Sequence, residues 1–279
     1  MTRGATLLLA VVTALSWGAQ AGNVDANGDG SGSDSGNANG ADGIPLANRL
    51  SGYAQMGPAS RAMQDDDSAN PGMLWVAEGQ PAWQAAPPGG APSCAGCHGA
   101  VATAMRGVAA RYPAFDGAAG RPLDLEQRIN ACRTRHQAMP ALDWESPELL
   151  ALTALVARQA RGAPIAPDES AATLPFRQQG RAEFEHRRGQ LDLSCAQCHD
   201  QHWGHHLAGS LIPQGQATAY PVYRLEWQSL GSLQRRLRGC MTAVRSEPYP
   251  FGAAELVDLE LFLMWRARGL PLESPGVRP

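Results

Sequence analysis

Two stretches of this sequence place a pair of thiols and an imidazole in the same short order: Cys94-Ala95-Gly96-Cys97-His98 and Cys195-Ala196-Gln197-Cys198-His199. Thiols three residues apart on a helical turn can add to the two vinyl groups of one haem, and the imidazole that follows then meets the iron. One such motif could arise by chance or serve another metal or redox site. Two, each preceded by Ser and each opening a similar downstream pattern, read as paired c-type haem sites. The expectation is two covalently bound haem c groups, held by Cys94, Cys97, Cys195 and Cys198, with His98 and His199 each on one side of an iron.

The opposite side of each iron needs a ligand from later in the chain, ordinarily Met, His or Cys thiolate. Of six cysteines, four are spent in thioether bonds, which leaves Cys132 and Cys240, one in each half. A disulfide between them is one use of the pair. Their matched placement points instead to one thiol per haem. Met139, followed by Pro140, competes with Cys132. Aligned on the cysteines, however, Met139 falls opposite Glu247, and a duplicated module most simply keeps one ligand type. The rivals of Cys240 are Met241, Met264 and the cluster His202, His205 and His206. Both methionines fit a helical core pattern, and the histidines sit with Trp203 and Gly204 in a loop, where solvent or ring packing is their commoner fate. An anionic sulfur ligand would favour ferric iron and lower the reduction potential relative to Met, which suits sulfur chemistry better than a generic relay.

The elements that must carry these ligands repeat. Leu125 to Cys132 corresponds to Leu233 to Cys240, and Glu148 to Gly162 aligns without gaps on Glu255 to Gly269. Asp124 and Ser232 are placed to cap the two cysteine-bearing helices, and Gly162 and Gly269 to end the two last ones. In the second copy Leu233, Leu237, Cys240, Met241 and Val244 recur at helical spacing, so Cys240 faces inward. The fold class expected is mainly α: two class I cytochrome c-like domains related by duplication, each with one covalent haem. Arg236 stands one helical turn before Cys240 and could hold an anion beside the sulfur. Arg128 has the same relation to Cys132, so pairing with a haem propionate is an equal reading of both.

All 23 cationic residues are Arg, a pattern of GC-rich coding that weakens any single Arg as evidence of a dedicated anion site, and the net charge of −3 gives no hint of a nucleic-acid partner. Met1 to Ala21 reads as a secretory signal, with Arg3, an apolar run from Leu7 to Leu15, and Ala19-Gln20-Ala21 as cleavage site. That run is too short for a permanent membrane anchor, and no later stretch is long and apolar enough. A soluble periplasmic protein is expected. Residues 22–70 read as a Gly/Asp/Asn-rich flexible tether, to about Gly43, and an N-terminal extension. The run Asp25-Ala26-Asn27-Gly28-Asp29 lacks the closing Glu of a calcium loop. Residues 71–163 then form the N-terminal cytochrome domain, 164–175 a Pro-rich linker, and 176–279 the C-terminal domain.

The stretch from about Trp75 onward resembles the SoxA subunit of the SoxAX cytochromes, the L-cysteine S-thiosulfotransferase of bacterial sulfur oxidation. The resemblance lies in Tyr220-Pro221-Val222-Tyr223-Arg224-Leu225-Glu226-Trp227, in Arg236-Leu237-Arg238-Gly239-Cys240, and in the ending from Gly269 to Arg278. Both haem motifs make this a dihaem form. The resemblance implies oxidative joining of thiosulfate to a cysteine of the carrier SoxYZ, a heterodimer with the SoxX cytochrome, and a c-type cytochrome as electron acceptor. It implies that Cys240 is distal ligand and active cysteine, commonly a persulfide, and that Arg236 binds substrate. Arg245, Arg266 and Arg268 are weaker candidates for that pocket. A plain dihaem electron carrier is the rival reading. A dihaem peroxidase would need an open iron site, against which the two spare cysteines argue.

Overall fold

The computed structural model describes residues 1 and 44–279, apart from Ala208. The signal sequence after Met1 and the tether with its Asp25–Asp29 run lie outside the described residues. From Ile44 onward the chain belongs to one compact body.

After two short 3₁₀ turns come α1 (Pro58–Asp65), α2 (Gly72–Gln84), α3 (Cys94–His98) and α4 (Val101–Ala104). A hairpin of β1 (Ala114–Asp116) and β2 (Arg121–Leu123) leads into α5 (Leu125–His136) and α6 (Pro147–Arg158). The second half repeats this plan. Helix α7 (Leu174–Glu185) precedes the second haem motif, a small hairpin β3 (His206–Leu207) and β4 (Ser210–Leu211) follows it, and β5 (Val222–Arg224) and β6 (Ser229–Gly231) lead into α8 (Leu233–Ala243) and α9 (Ala254–Arg266). Strand β7 (Gly276–Arg278) joins β5 in parallel, giving the order β6-β5-β7. The architecture is mainly helical, as expected.

Each half is built on a crossing of its first and last long helices, α2 on α6 and α7 on α9. A glycine makes each crossing close. A Cβ on Gly79 would lie 2.5 Å from the Ala151 carbonyl oxygen, and one on Gly180 would overlap the Asp258 carbonyl. One turn later each helix presents an aromatic ring, Trp83 or Phe184, to the imidazole of its half, at 5.8 Å from His98 and 6.4 Å from His199. The crossing therefore positions the proximal side of both haem sites.

Gly162 and Gly269 have left-handed φ values of 80° and 85°, which a side chain would strain, and each turns the chain shortly after its helix has ended, at Arg158 and Arg266. The two turned segments then pair with one another in a reciprocal pattern. Gly162 N donates to Leu272 O and Gly269 N to Ile165 O; Ile165 N donates to Leu270 O and Leu272 N to Ala163 O. A local pseudo-two-fold axis thus passes between Pro164 and Pro271, which face each other as a bridge. Duplication accounts for this: two copies of one ending form a self-complementary contact. The start of segment 164–175 is held in this pairing, with Ile165 buried.

The N-terminal extension from Ile44 to Asn70 lies on the second half. Gln64 Oε1 accepts from Val277 N at 2.9 Å, Leu50 N donates to Gln214 Oε1 at 2.8 Å, and Arg49 donates to the Arg268 carbonyl. One apolar core runs through both halves, from Val76, Trp83 and Leu155 to Phe184, Leu256 and Phe262. No helix among the described residues is long and apolar enough to cross a membrane.

Candidate functional site

Both haem motifs form short helical turns capped by the preceding serine. Ser93 Oγ accepts from Gly96 N at 3.0 Å; Ser194 Oγ accepts from Gln197 N at 3.2 Å while Gln197 Oε1 accepts from Ser194 N at 2.9 Å. Capping satisfies backbone donors that the short turn leaves without partners, so the turn holds both thiols on one side.

The second imidazole is aimed. His199 Nδ1 lies 2.7 Å from Pro213 O, so it donates there and leaves Nε2 as the ligating nitrogen. Gly215, with φ of 71°, closes against the ring; a Cβ there would sit 3.0 Å from His199 Cγ. Burial, opposed by the Pro213 carbonyl and reinforced by the charges of Arg266 and Arg236, holds this imidazole below its ordinary pKa. It is therefore neutral, the form that binds iron. His98 is exposed beside Trp83, whose indole Nε1 donates to Gly99 O at 3.1 Å.

The thiols expected opposite the imidazoles face the motifs. Burial first, then the neighbouring Cys132, raises the Cys94 thiol; Cys97 in turn bears on Cys132. In the second half burial and then Cys240 push Cys195 up to about 11, and both act on Cys198 in the same order. A capped pair of thiols followed by an imidazole, with a third thiol nearby, fits a covalent c-type haem in each half, and in the second half the imidazole is also oriented by the Pro213 carbonyl. The donor set would hold it through Cys94, Cys97 and His98 in one half, and through Cys195, Cys198 and His199 in the other. The Met139 backbone N caps α5 by donating to Arg133 O at 3.1 Å.

The other sequence candidates fall in distinct places. Arg236 lies on α8 with its charge coupled to Cys240, Tyr220 and Glu226. Arg266 is 4% exposed, stacks 4.5 Å from the Phe184 ring, and pairs with Asp200 at 2.6 Å and with the Gln214 carbonyl, on the His199 side. Arg268 lies 4.1 Å over Trp265 and Arg245 is exposed at the turn after α8 with φ of 59°. Met241 is buried in the core and Met264 lines a cavity of about 50 Å³ between the halves, beside Tyr112, Tyr220, Asp124, Glu126 and Glu260. His202, His205 and His206 are exposed around the β3–β4 hairpin.

The two halves differ most where the hairpin before each cysteine helix meets the Arg of that helix. In the first half Asp116, at the end of β1 and 5% exposed, pairs with Arg128 at 2.7 Å and with Arg135 at 2.9 Å. Those two guanidinium groups, Arg135 foremost, hold its carboxyl far below the usual range. In the second half Arg224 ends the equivalent strand β5. Among the described residues Arg236 reaches one carboxylate, Glu226, at 3.9 Å, and the same oxygen lies 2.7 Å from Arg224 Nε. Each half thus sets one carboxylate against two guanidinium groups, but Asp116 is buried and close to both of its partners, whereas Glu226 is half-exposed and close to Arg224 alone.

Several functional positions were not singled out from the sequence: Gly79 with Trp83, Gly180 with Phe184, the Pro213 carbonyl, Asp116 and Arg224. The first four residues carried a signal, a Gly-x-x-x-aromatic pair at one distance before each haem motif.

A family model described as SoxA/TsdA, cytochrome c domain matches residues 78–165 and 179–272. Among curated relatives, the L-cysteine S-thiosulfotransferase subunit SoxA of Rhodovulum sulfidophilum is 37% identical over 228 residues, 82% of this chain and 79% of that one. The same subunit of Pseudaminobacter salicylatoxidans is 34% identical, over 85% of this chain and 83% of its own. Among solved structures, SoxXA from P. pantotrophus superposes with a TM-score of 0.79 at 30% identity, covering 83% of this chain and 87% of that one.

Proposed function

The chain belongs to the SoxA/TsdA cytochrome c family, and from that membership we propose that it is the haem-bearing catalytic subunit of an L-cysteine S-thiosulfotransferase. The reaction joins thiosulfate to a cysteine thiol of the carrier SoxYZ. In balance, S–SO₃²⁻ and R–SH give R–S–S–SO₃⁻, a proton and two electrons. Haem c, which Cys195, Cys198, His199 and Cys240 would hold, would supply the route by which those electrons leave toward a c-type cytochrome.

What supports the reading is the meeting of Cys240 with surplus positive charge, from Arg236 and Arg224, beside the second haem motif. Arg236 attracts the dianion to the sulfur. A thiolate needs no separate base to form a bond to sulfur. Cys240 sulfur and the outer sulfur of thiosulfate lose two electrons together and form Cys240–S–S–SO₃⁻. The carrier's thiolate then attacks the middle sulfur, the bond to Cys240 breaks, and the Cys240 thiolate leaves. Cys240 carried as a persulfide extends the same chemistry by one sulfur.

The N-terminal site, with Cys94, Cys97, His98 and Cys132 around a second haem c, serves electron transfer only, because the buried Asp116 carboxylate occupies the place between Arg128 and Arg135 that an anion would need. The SoxX cytochrome is the partner subunit, and the reading places the assembly in the periplasm after removal of the signal sequence. The test is Cys240→Ser: coupling is expected to fall below about one thousandth of its normal rate, in line with loss of a nucleophile, with two haems still counted by intact mass. The peptide carrying Cys240 should show one added sulfur in the native protein. Normal turnover of the variant overturns the assignment.

A further inference from the structure

Glu226 stands where a substrate anion would. Its Oε1 is the one carboxylate oxygen between Arg224 and Arg236, at 2.7 Å from the first and 3.9 Å from the second, yet its side chain is 51% exposed. Arg224 Nε is shut off from water and meets that oxygen without good hydrogen-bond geometry. Arg224 is held by neighbours on its other faces, its guanidinium 5.4 Å from the Trp227 ring centroid, and its strand is clamped between β6 and β7. It is thus a fixed cation whose buried donor is poorly met, facing a second cation across a half-exposed glutamate.

An unused buried donor is costly, and two guanidinium groups near one another repel. Burial first, and then the charge of Arg236, pull the Arg224 pKa down from its ordinary value. A single carboxylate offers one negative charge and an acceptor at a poor angle. An ion with two charges and a trigonal set of oxygens meets both guanidinium groups and releases Glu226 to solvent, which it already half reaches. The equivalent place in the first half shows an internal anion that is not displaceable: Asp116 is 5% exposed and within 2.9 Å of both Arg128 and Arg135.

We propose that Arg224 is a second anion-binding residue of the Cys240 site, and that Glu226 is a displaceable internal anion which a dianionic sulfur oxyanion such as thiosulfate replaces between Arg224 and Arg236. This rests on the Cys240 site being where thiosulfate reacts. It adds the device that selects doubly charged substrates, since a monoanion gains little over the glutamate it must expel. It also gives the second half of the duplicated chain an anion receptor through one reversal of charge at a strand end.

The probe is sulfate, an unreactive dianion, titrated calorimetrically into the haem-loaded complex, with steady-state thiosulfate kinetics alongside. Arg224→Gln is expected to weaken sulfate binding and raise the KM for thiosulfate by about tenfold or more, as for loss of one charge-assisted contact, with kcat within about twofold. Arg224→Lys should restore part of the loss. Glu226→Gln should move both quantities the other way, tightening sulfate by about three- to tenfold by removing a competing charge. Sulfate affinity and KM unchanged in Arg224→Gln, or weakened in Glu226→Gln, overturn the proposal. Either result leaves the assigned reaction standing if Cys240→Ser remains inactive; an active Cys240→Ser protein that still binds sulfate through Arg224 would remove the reaction and keep the receptor.

Discussion

Asp116 and Arg224 end equivalent strands in the two halves and carry opposite charge. Asp116 is tied to Arg128 and Arg135 at 2.7 and 2.9 Å; Arg224 shares one half-exposed glutamate oxygen with Arg236. One fold, copied, thus holds one pair of arginines closed by a buried carboxylate and one pair met by a half-exposed carboxylate that is close to a single partner. The consequence can be checked in the first half. Asp116→Asn frees Arg128 and Arg135, and sulfate titration of the haem-loaded protein is expected to exceed one site per chain. A stoichiometry that stays at one would mean that neutralisation by Asp116 is not what distinguishes the halves.

The helix crossings admit no side chain at their centre. Gly180→Ala drives a methyl group into the Asp258 carbonyl, and Gly79→Ala brings one to 2.5 Å of the Ala151 carbonyl. Backbone cannot yield as a flexible side chain can, so each substitution should cost roughly 1–3 kcal/mol or more of stability. The Gly180 variant should suffer more. Urea denaturation of the haem-loaded variants measures this; equal stabilities would show that the helices separate at little cost.

Much of this was legible in the chain. The haem motifs, Asp124 and Ser232 as caps, and Gly162 and Gly269 as stops are local signals, and the structure uses each as expected: both caps accept from the backbone three residues on. The duplication was legible because its copies share order and spacing. What depended on contacts distant in sequence was not. The Pro213 carbonyl that orients His199 looks like any other, and Asp116 and Arg224 gain meaning only when their strands are laid beside α5 and α8. Arg266, absent from the first half as Gln159 stands there, drew notice for the substrate pocket; burial against Phe184 and Asp200 places it on the imidazole side.

Gly215 has a backbone angle that L side chains resist and lies directly on the His199 ring. Gly215→Val should strain the loop by about 1–2 kcal/mol and tilt the imidazole away from its bond to Pro213. Haem attachment would persist, because Cys195 and Cys198 are untouched. The expected signature is a change in the ferric low-spin EPR signal of one haem only, with the other unaltered. An unchanged spectrum would show that the ring is held by something other than this loop.

Between the halves lie three carboxyl groups that solvent does not reach: Asp124 and Glu126 around the start of α5, and Glu260 on α9. Burial pushes Asp124 up to about 7 from 3.8, against the hydrogen bonds it accepts from Gln127 N at 2.7 Å and Gln234 Nε2 at 2.8 Å. All three carboxyls therefore hold their protons more tightly than usual. Burial, then the charges of Asp124 and Glu145, push Glu126 up to about 8 from 4.5; burial, then Asp124 and Glu126, raise Glu260 well above its ordinary value, against a bond from Gln234. A carboxyl with a raised folded pKa binds more protons folded than unfolded, so its stabilising share is complete below the unfolded pKa and is lost as pH rises through the folded one. Stability of the haem-loaded protein should accordingly fall from pH 6 toward pH 9, through about 8 for Glu126. Glu260→Gln keeps the shape and removes both the proton and the charge it would otherwise bury, so the variant should be more stable than the parent at pH 9 and show a shallower slope. Denaturation midpoints across that range decide it, and a slope equal to the parent's would mean that Glu260 stays ionised within the fold.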